Sequence, residues 1–141
     1  MTTIALPFAD PPLTKNKVRR MHHHVEAKLR RDSIDAVRWA IRAAKIRPLE
    51  QAVIVLHWQQ PNGRRRDGDG ADPTKAICID ALVLEGVLPD DSWRFVIHSG
   101  VTCHAPVKGQ PGAMWLSISD PNLDRPRDHE IALTLTPQER P

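Results

Sequence analysis

The residues most able to do chemistry are four aspartates in the middle of the chain. Asp67 and Asp69 are two apart, so in an extended backbone both side chains point the same way. Asp90 and Asp91 lie beyond an intervening helical segment. If that helix packs against a sheet and returns its far end to the strand edge, Asp67, Asp69 and one of Asp90 or Asp91 form a three-carboxylate cluster. Carboxylates crowded in this way repel one another unless a cation sits between them. Hard oxygen ligands suit Mg²⁺, which keeps several waters and also takes phosphate oxygens. Such an ion polarises a phosphodiester and activates a water for in-line attack. The preceding Arg64-Arg65-Arg66 supplies guanidinium groups that pair with phosphate in a bidentate way. Asp-Gly-Asp-Gly is equally a common flexible turn, since both residue types suit turn geometry. An EF-hand is a poor fit. Counted from Asp67, its sixth loop position would be Asp72 where glycine is needed, and its twelfth Cys78 where glutamate is needed.

These side chains need a scaffold, and the pattern of apolar residues outlines one. Thr2 to Phe8 alternates as a strand, ended by Pro11-Pro12. Thr14 to His24 is polar and basic and reads as a loop. From about Glu26 to Ile46 the period changes: Ile34, Val37, Ile41 and Ala44 make one helical stripe, and Pro48 marks its stop. Ala52 to Trp58 is apolar on both alternating faces, as in a central strand covered on two sides. Gln59 to Ala71 is a loop. Asp72 reads as the N-cap of a second helix, with Pro73 at its first position and Gly86 as its stop. Val87 to Ser92 is a turn. Trp93 to His98, Met114 to Ser119 and Ile131 to Thr136 read as strands, the last two joined by a polar connection over about 121–130. This order predicts one small α+β domain over residues 1–141, a mixed sheet carrying two helices.

The 141 residues suffice for a single core, and the balance of 40% apolar and 26% charged residues is that of a water-soluble globule. The longest unbroken apolar run, Ala52 to Leu56, is far short of a membrane span. No basic region precedes the short apolar stretch at the N-terminus, so a signal peptide is not expected. Two cysteines make no disulfide framework, and a cytoplasmic location is expected. The formal charge is only +3, but its placement is uneven. Between residues 10 and 31, Lys15, Lys17, Arg19, Arg20, Lys28, Arg30 and Arg31 face only Asp10 and Glu26. Basic clusters of this kind fit a polyanion such as DNA, or else a solvated, solubilising surface.

The same segments resemble a known family. Arg64-Arg65-Arg66-Asp67-Gly68-Asp69, then Lys75-Ala76, Asp80-Ala81-Leu82 and Glu85-Gly86-Val87-Leu88-Pro89-Asp90-Asp91, look like the core of the RusA family of Holliday junction resolvases from phages and prophages. The family pattern is an arginine-rich entry into D-x-D, a lysine shortly after, D-A-L on a helix, then glycine and a D-D pair. Two departures stand out. Gly70 follows the D-x-D where the family usually has Asn, and the segment from Asp69 to Asp80 is longer, which leaves the lysine register open. Asp72 is either the helix cap read above or a displaced acidic ligand.

The resemblance implies a RusA-like fold and a crossover junction endodeoxyribonuclease of recombination and repair. It would work as a homodimer on four-way and branched DNA, with Mg²⁺ and Mn²⁺ as a possible substitute, in the host cytoplasm if phage-encoded. By it, Asp67, Asp69 and Asp91 bind the metal and are catalytic, with Asp90 beside them. Lys75 matches the family's lysine and meets DNA or the developing phosphorane charge. Arg64, Arg65 and Arg66 hold phosphate, and Lys15, Lys17, Arg19 and Arg20 extend the basic footprint. Two nicks placed symmetrically across a junction need two sites related by a two-fold axis. The alternative is a non-catalytic junction-binding module of the same fold.

Other motifs carry less. His22-His23-His24 reads as exposed basic loop, since three consecutive histidines do not face one ion in regular structure. Cys103-His104 has no CxxC partner, so zinc is not expected. No P-loop signature occurs, and no nucleotide cofactor is implied. Trp58 and Trp93 fall at strand ends, as core or dimer contacts. Trp115 alternates away from Met114 and Leu116 and points to an interface.

Overall fold

The computed structural model describes residues 1–123. The expected strand at 131–136, and the connection leading to it from residue 124 onward, lie outside the described residues. Four strands form one mixed sheet in the order β1-β4-β2-β3. They are β1 (Thr2–Ala5), β2 (Ala52–Gln59), β3 (Val96–His104) and β4 (Ala113–Ser119). β4 runs antiparallel to both β1 and β2, whereas β2 and β3 are parallel. The helices are α1 (Lys15–Arg20), α2 (His23–Ala44) and α3 (Asp72–Leu84), the last entered through a 3-10 turn at Gly68–Ala71. The α+β class and mixed sheet are as the sequence predicts, with three helices in place of two.

Alternation along β2 divides the sheet into two faces. Ala52, Ile54, Leu56 and Trp58 are buried, and their neighbours are half-buried. The buried set joins Ile4, Met114, Leu116 and Ile118 from the flanking strands and Val37, Ile41, Ile77, Ala81 and Leu82 from α2 and α3. One face of the sheet therefore packs on the helices. The expectation that β2 is covered on both sides is corrected to one-sided cover among the described residues.

Several boundaries shift for local reasons. α2 starts at His23 because His22 caps it, and Thr14 caps the unexpected α1 by accepting the Lys17 N–H at 3.1 Å. β3 begins three residues later than expected: Phe95 and Val96 N–H both donate to Ser92 O at 3.0 Å, a turn that leaves Trp93 79% exposed. Trp93 is thus neither a core residue nor part of a strand. Asp72 is the first residue of α3, and Ala71 takes the cap position that Asp72 was expected to hold. Gly86 does end α3. At φ +75° it lets Gly86 N–H reach Val83 O and Val87 N–H reach Leu82 O, a Schellman closure.

α3 is the crossover between the parallel strands β2 and β3, so it runs antiparallel to both. Its start lies at the end of the sheet where β3 finishes, since a Cβ on Gly68 would stand 3.4 Å from Cys103 Sγ. Its far end lies where β2 begins, with Leu49 N–H donating to Val87 O at 2.8 Å.

Candidate functional site

Two chain segments build an open cavity of about 680 Å³ at the start of α3. The loop after β2 and the 3-10 turn bring Arg65, Arg66, Asp67, Asp69 and Gly70. The segment ahead of and along α1 brings Asp10, Thr14, Lys15, Asn16 and Arg19, and Trp58 closes the wall from the end of β2. The α1 segment is held against α3 by Thr74. This buried hydroxyl donates to Leu13 O at 2.6 Å and accepts Leu13 N–H at 3.3 Å. Leu13, one residue before the α1 cap, is fully buried.

Four cationic side chains and three carboxylates therefore share one cavity. Lys15 Nζ lies 3.0 Å from Asp69 Oδ2 and 3.9 Å from Asp72, which is in turn 3.8 Å from Lys75. Arg66 turns back on its own loop, donating to the carbonyls of Asn62 and Arg64 and to Asn62 Oδ1. The Trp58 indole N–H is buried and meets no acceptor among the described residues.

The structure brings together Asp67, Asp69, Arg65, Arg66, Lys15 and Arg19 from the residues singled out by sequence. The others do not line this cavity. Arg64 is exposed in the loop, where its N–H meets Asn62 Oδ1. Lys17 is tied to Asp10 at 3.1 Å and to Pro11 O at 2.7 Å. Arg20 is exposed at the end of α1, and Lys75 faces Asp72 on the first turn of α3.

Asp90 and Asp91 do not reach Asp67 and Asp69 within one chain. The expected return of the helix to the same strand ends is corrected: a crossover between parallel strands carries its far end to the opposite end of the sheet. Thirteen residues of α3 separate the two pairs, about 20 Å at 1.5 Å per residue. Among the described residues no three carboxylates bring oxygens within 4.8 Å of one another. Asp91 instead acts on Asp80, whose pKa is raised by burial first and then by that like charge, against the pull of Arg30.

Sequence reading missed Asp10, which shares the cavity, and a polar cluster on the sheet face away from the helices. His57 Nδ1 lies 2.8 Å from His104 Nε2, and His57 Nε2 lies 3.0 Å from Ser117 Oγ. Trp115 stacks on His57 with ring centres 5.2 Å apart and planes 2° apart. The alternation of Trp115 away from the core was visible in sequence; its histidine partners come from β2 and β3 and needed the register. Burial, then the neighbouring His104, pushes the His57 pKa down. The chain Ser117–His57–His104 has the order of a nucleophile, base and orienter. Ser117 sits mid-strand, however, paired with Thr3 on one side and Val55 on the other, so its backbone neighbours among the described residues are engaged in the sheet and form no oxyanion hole.

Among the described residues no helix is long and apolar enough to cross a membrane. Comparison of the chain with protein-family models and with curated proteins gives no match.

Proposed function

We propose that the chain is a divalent-metal-dependent endonuclease acting on branched DNA as a homodimer, related to the RusA resolvases it resembles. The observation that supports this most is the shared cavity: Asp67 and Asp69 stand among Lys15, Arg19, Arg65 and Arg66. Carboxylates and cationic side chains lining one cavity suit a phosphodiester together with its counter-ion. Mg²⁺ characteristically takes one or two carboxylates and fills its remaining positions with water and phosphate oxygens, so this donor set fits it. Asp67 and Asp69 would hold that ion, which when bound supplies polarisation of the phosphodiester and activation of a water. Lys15 and Arg19 on one wall, with Arg65 and Arg66 on the other, bind and orient the phosphate backbone.

Asp91 enters through the second copy. An isologous pair with its α3 helices antiparallel would set the Asp90–Asp91 end of one protomer beside the Asp67–Asp69 end of the other, twice. The separation of the two acid pairs within one chain, and the hold of Lys15 on Asp69, favour a second reading, a junction binder without cleavage.

A synthetic four-way junction separates the two. The nuclease nicks it with Mg²⁺, and Asp67→Asn and Asp91→Asn bind it without nicking. Salt-sensitive binding with no product at any Mg²⁺ concentration selects the binder. Equal nicking by both variants removes the metal assignment.

A further inference from the structure

The His22-His23-His24 run sits where α1 gives way to α2. On a regular helix successive side chains fan out by about 100°, so three neighbours do not converge. Here only two of the three are helical. His22 is the cap, with extended backbone at φ −64° and ψ 142°, and α2 begins at His23. That change of backbone carries the His22 ring back over the first turn, where its Nδ1 accepts the His24 N–H at 3.3 Å. Ring centres then lie 4.4 Å apart for His22 and His23, 4.0 Å for His23 and His24, and 5.0 Å for His22 and His24. One nitrogen from each ring lies within 4.8 Å of the others, and all three side chains are exposed. The sequence expectation that these residues do not face a common point is corrected by the irregular cap.

We propose that His22, His23 and His24 form a binding site for a borderline divalent transition metal of the Zn²⁺ or Ni²⁺ kind. Imidazole nitrogens suit zinc, copper and nickel, whereas Mg²⁺ takes oxygen, so this site and the carboxylate cavity select different ions. Three protein nitrogens supply three of the four ligands of a tetrahedral zinc site and leave the fourth position to water. Bonds of about 2.0–2.1 Å put tetrahedral ligand nitrogens roughly 3.4 Å from one another. Closing to that separation asks only for side-chain rotation at exposed positions. The cap bond is long and yields if the ion takes His22 Nδ1. Glu26, one turn further on, is drawn to Arg30 at 2.9 Å. The positive end of α2 opposes a cation and weakens binding modestly. A filled site would place two further positive charges at the α1–α2 junction.

Calorimetric titration of the whole chain with ZnCl₂ tests this. Wild type is expected to bind one ion per chain, and millimolar Mg²⁺ should not displace it. His23→Ala/His24→Ala should weaken binding by at least about tenfold while circular dichroism shows an unchanged fold. His57→Gln/His104→Gln should bind as wild type does. Equal binding by the His23/His24 variant, loss of binding in the His57/His104 variant, displacement by Mg²⁺, or no binding by wild type would each overturn the site.

Discussion

At Asp69 the carboxylate meets Lys15 in the open, with side chains 67% and 47% exposed. Pairs of this kind contribute only about 0–1 kcal/mol to folding. Lys15→Ala should therefore leave thermal stability nearly unchanged. If Lys15 meets a DNA phosphate, the same change should weaken junction binding and reduce the slope of log K against log salt by about one, read by fluorescence anisotropy. Glu85 is a different case. Only 11% exposed, it accepts Arg42 Nε at 2.9 Å and Arg38 Nε at 2.7 Å, and these contacts hold its pKa below the ordinary 4.5. A depressed carboxyl contributes stability above its unfolded pKa and loses it as pH falls through the folded one. Below pH 4.5 the melting temperature should drop, and Glu85→Gln should flatten that drop. His57 works in the same direction at higher pH. Its depressed pKa means the unfolded chain takes up the proton first, so stability falls as pH goes below about 6.5. In His57→Gln the fall over pH 5 to 7 should shrink, as followed by urea denaturation.

At the scale of elements, α3 shows what a linear pattern reveals. Asp72-Pro73 announced its start, Ile77 and Ala81 its buried stripe, and Gly86 its end, because each signal is a property of nearby backbone. Gly86→Ala should cost about 1–2 kcal/mol, since a Cβ is strained at φ +75°. β3 was misplaced because Trp93 to Phe95 look strand-like by composition, while the Ser92 carbonyl claims two N–H groups and turns the chain there. α1 was missed because its six residues include only one apolar side chain, Val18, and none that is fully buried, and so show no apolar period. The direction of α3 was also hidden: whether β2 and β3 run parallel is decided by long-range pairing, and that decision sends Asp91 away from Asp67. The loop–helix clamp at Thr74 left no pattern either, being one hydroxyl 61 residues from its partner. Thr74→Val should strand the Leu13 N–H and cost about 1–3 kcal/mol in chemical denaturation.

For the whole molecule, the distribution of acids at both ends of α3 sets the question that the proposed dimer would answer. In the proposed pair each cavity draws Asp67 and Asp69 from one protomer and Asp91 from the other. Mixing Asp67→Asn with Asp91→Asn chains should then restore nicking that neither gives alone. Each mixed dimer keeps one intact site, so about a quarter of wild-type activity is expected after random exchange. Cavities built within single chains would give no recovery.

Thr74 bolts the segment before α1 to the helix that follows Asp69, so the two walls of the groove, each carrying acids and bases, are fixed to one another. If the proposed DNA ligand binds there, the groove's width is settled before docking and little ordering remains to be done. Association with such a ready-made slot should proceed at a rate governed by ionic strength, with no slow phase of rearrangement.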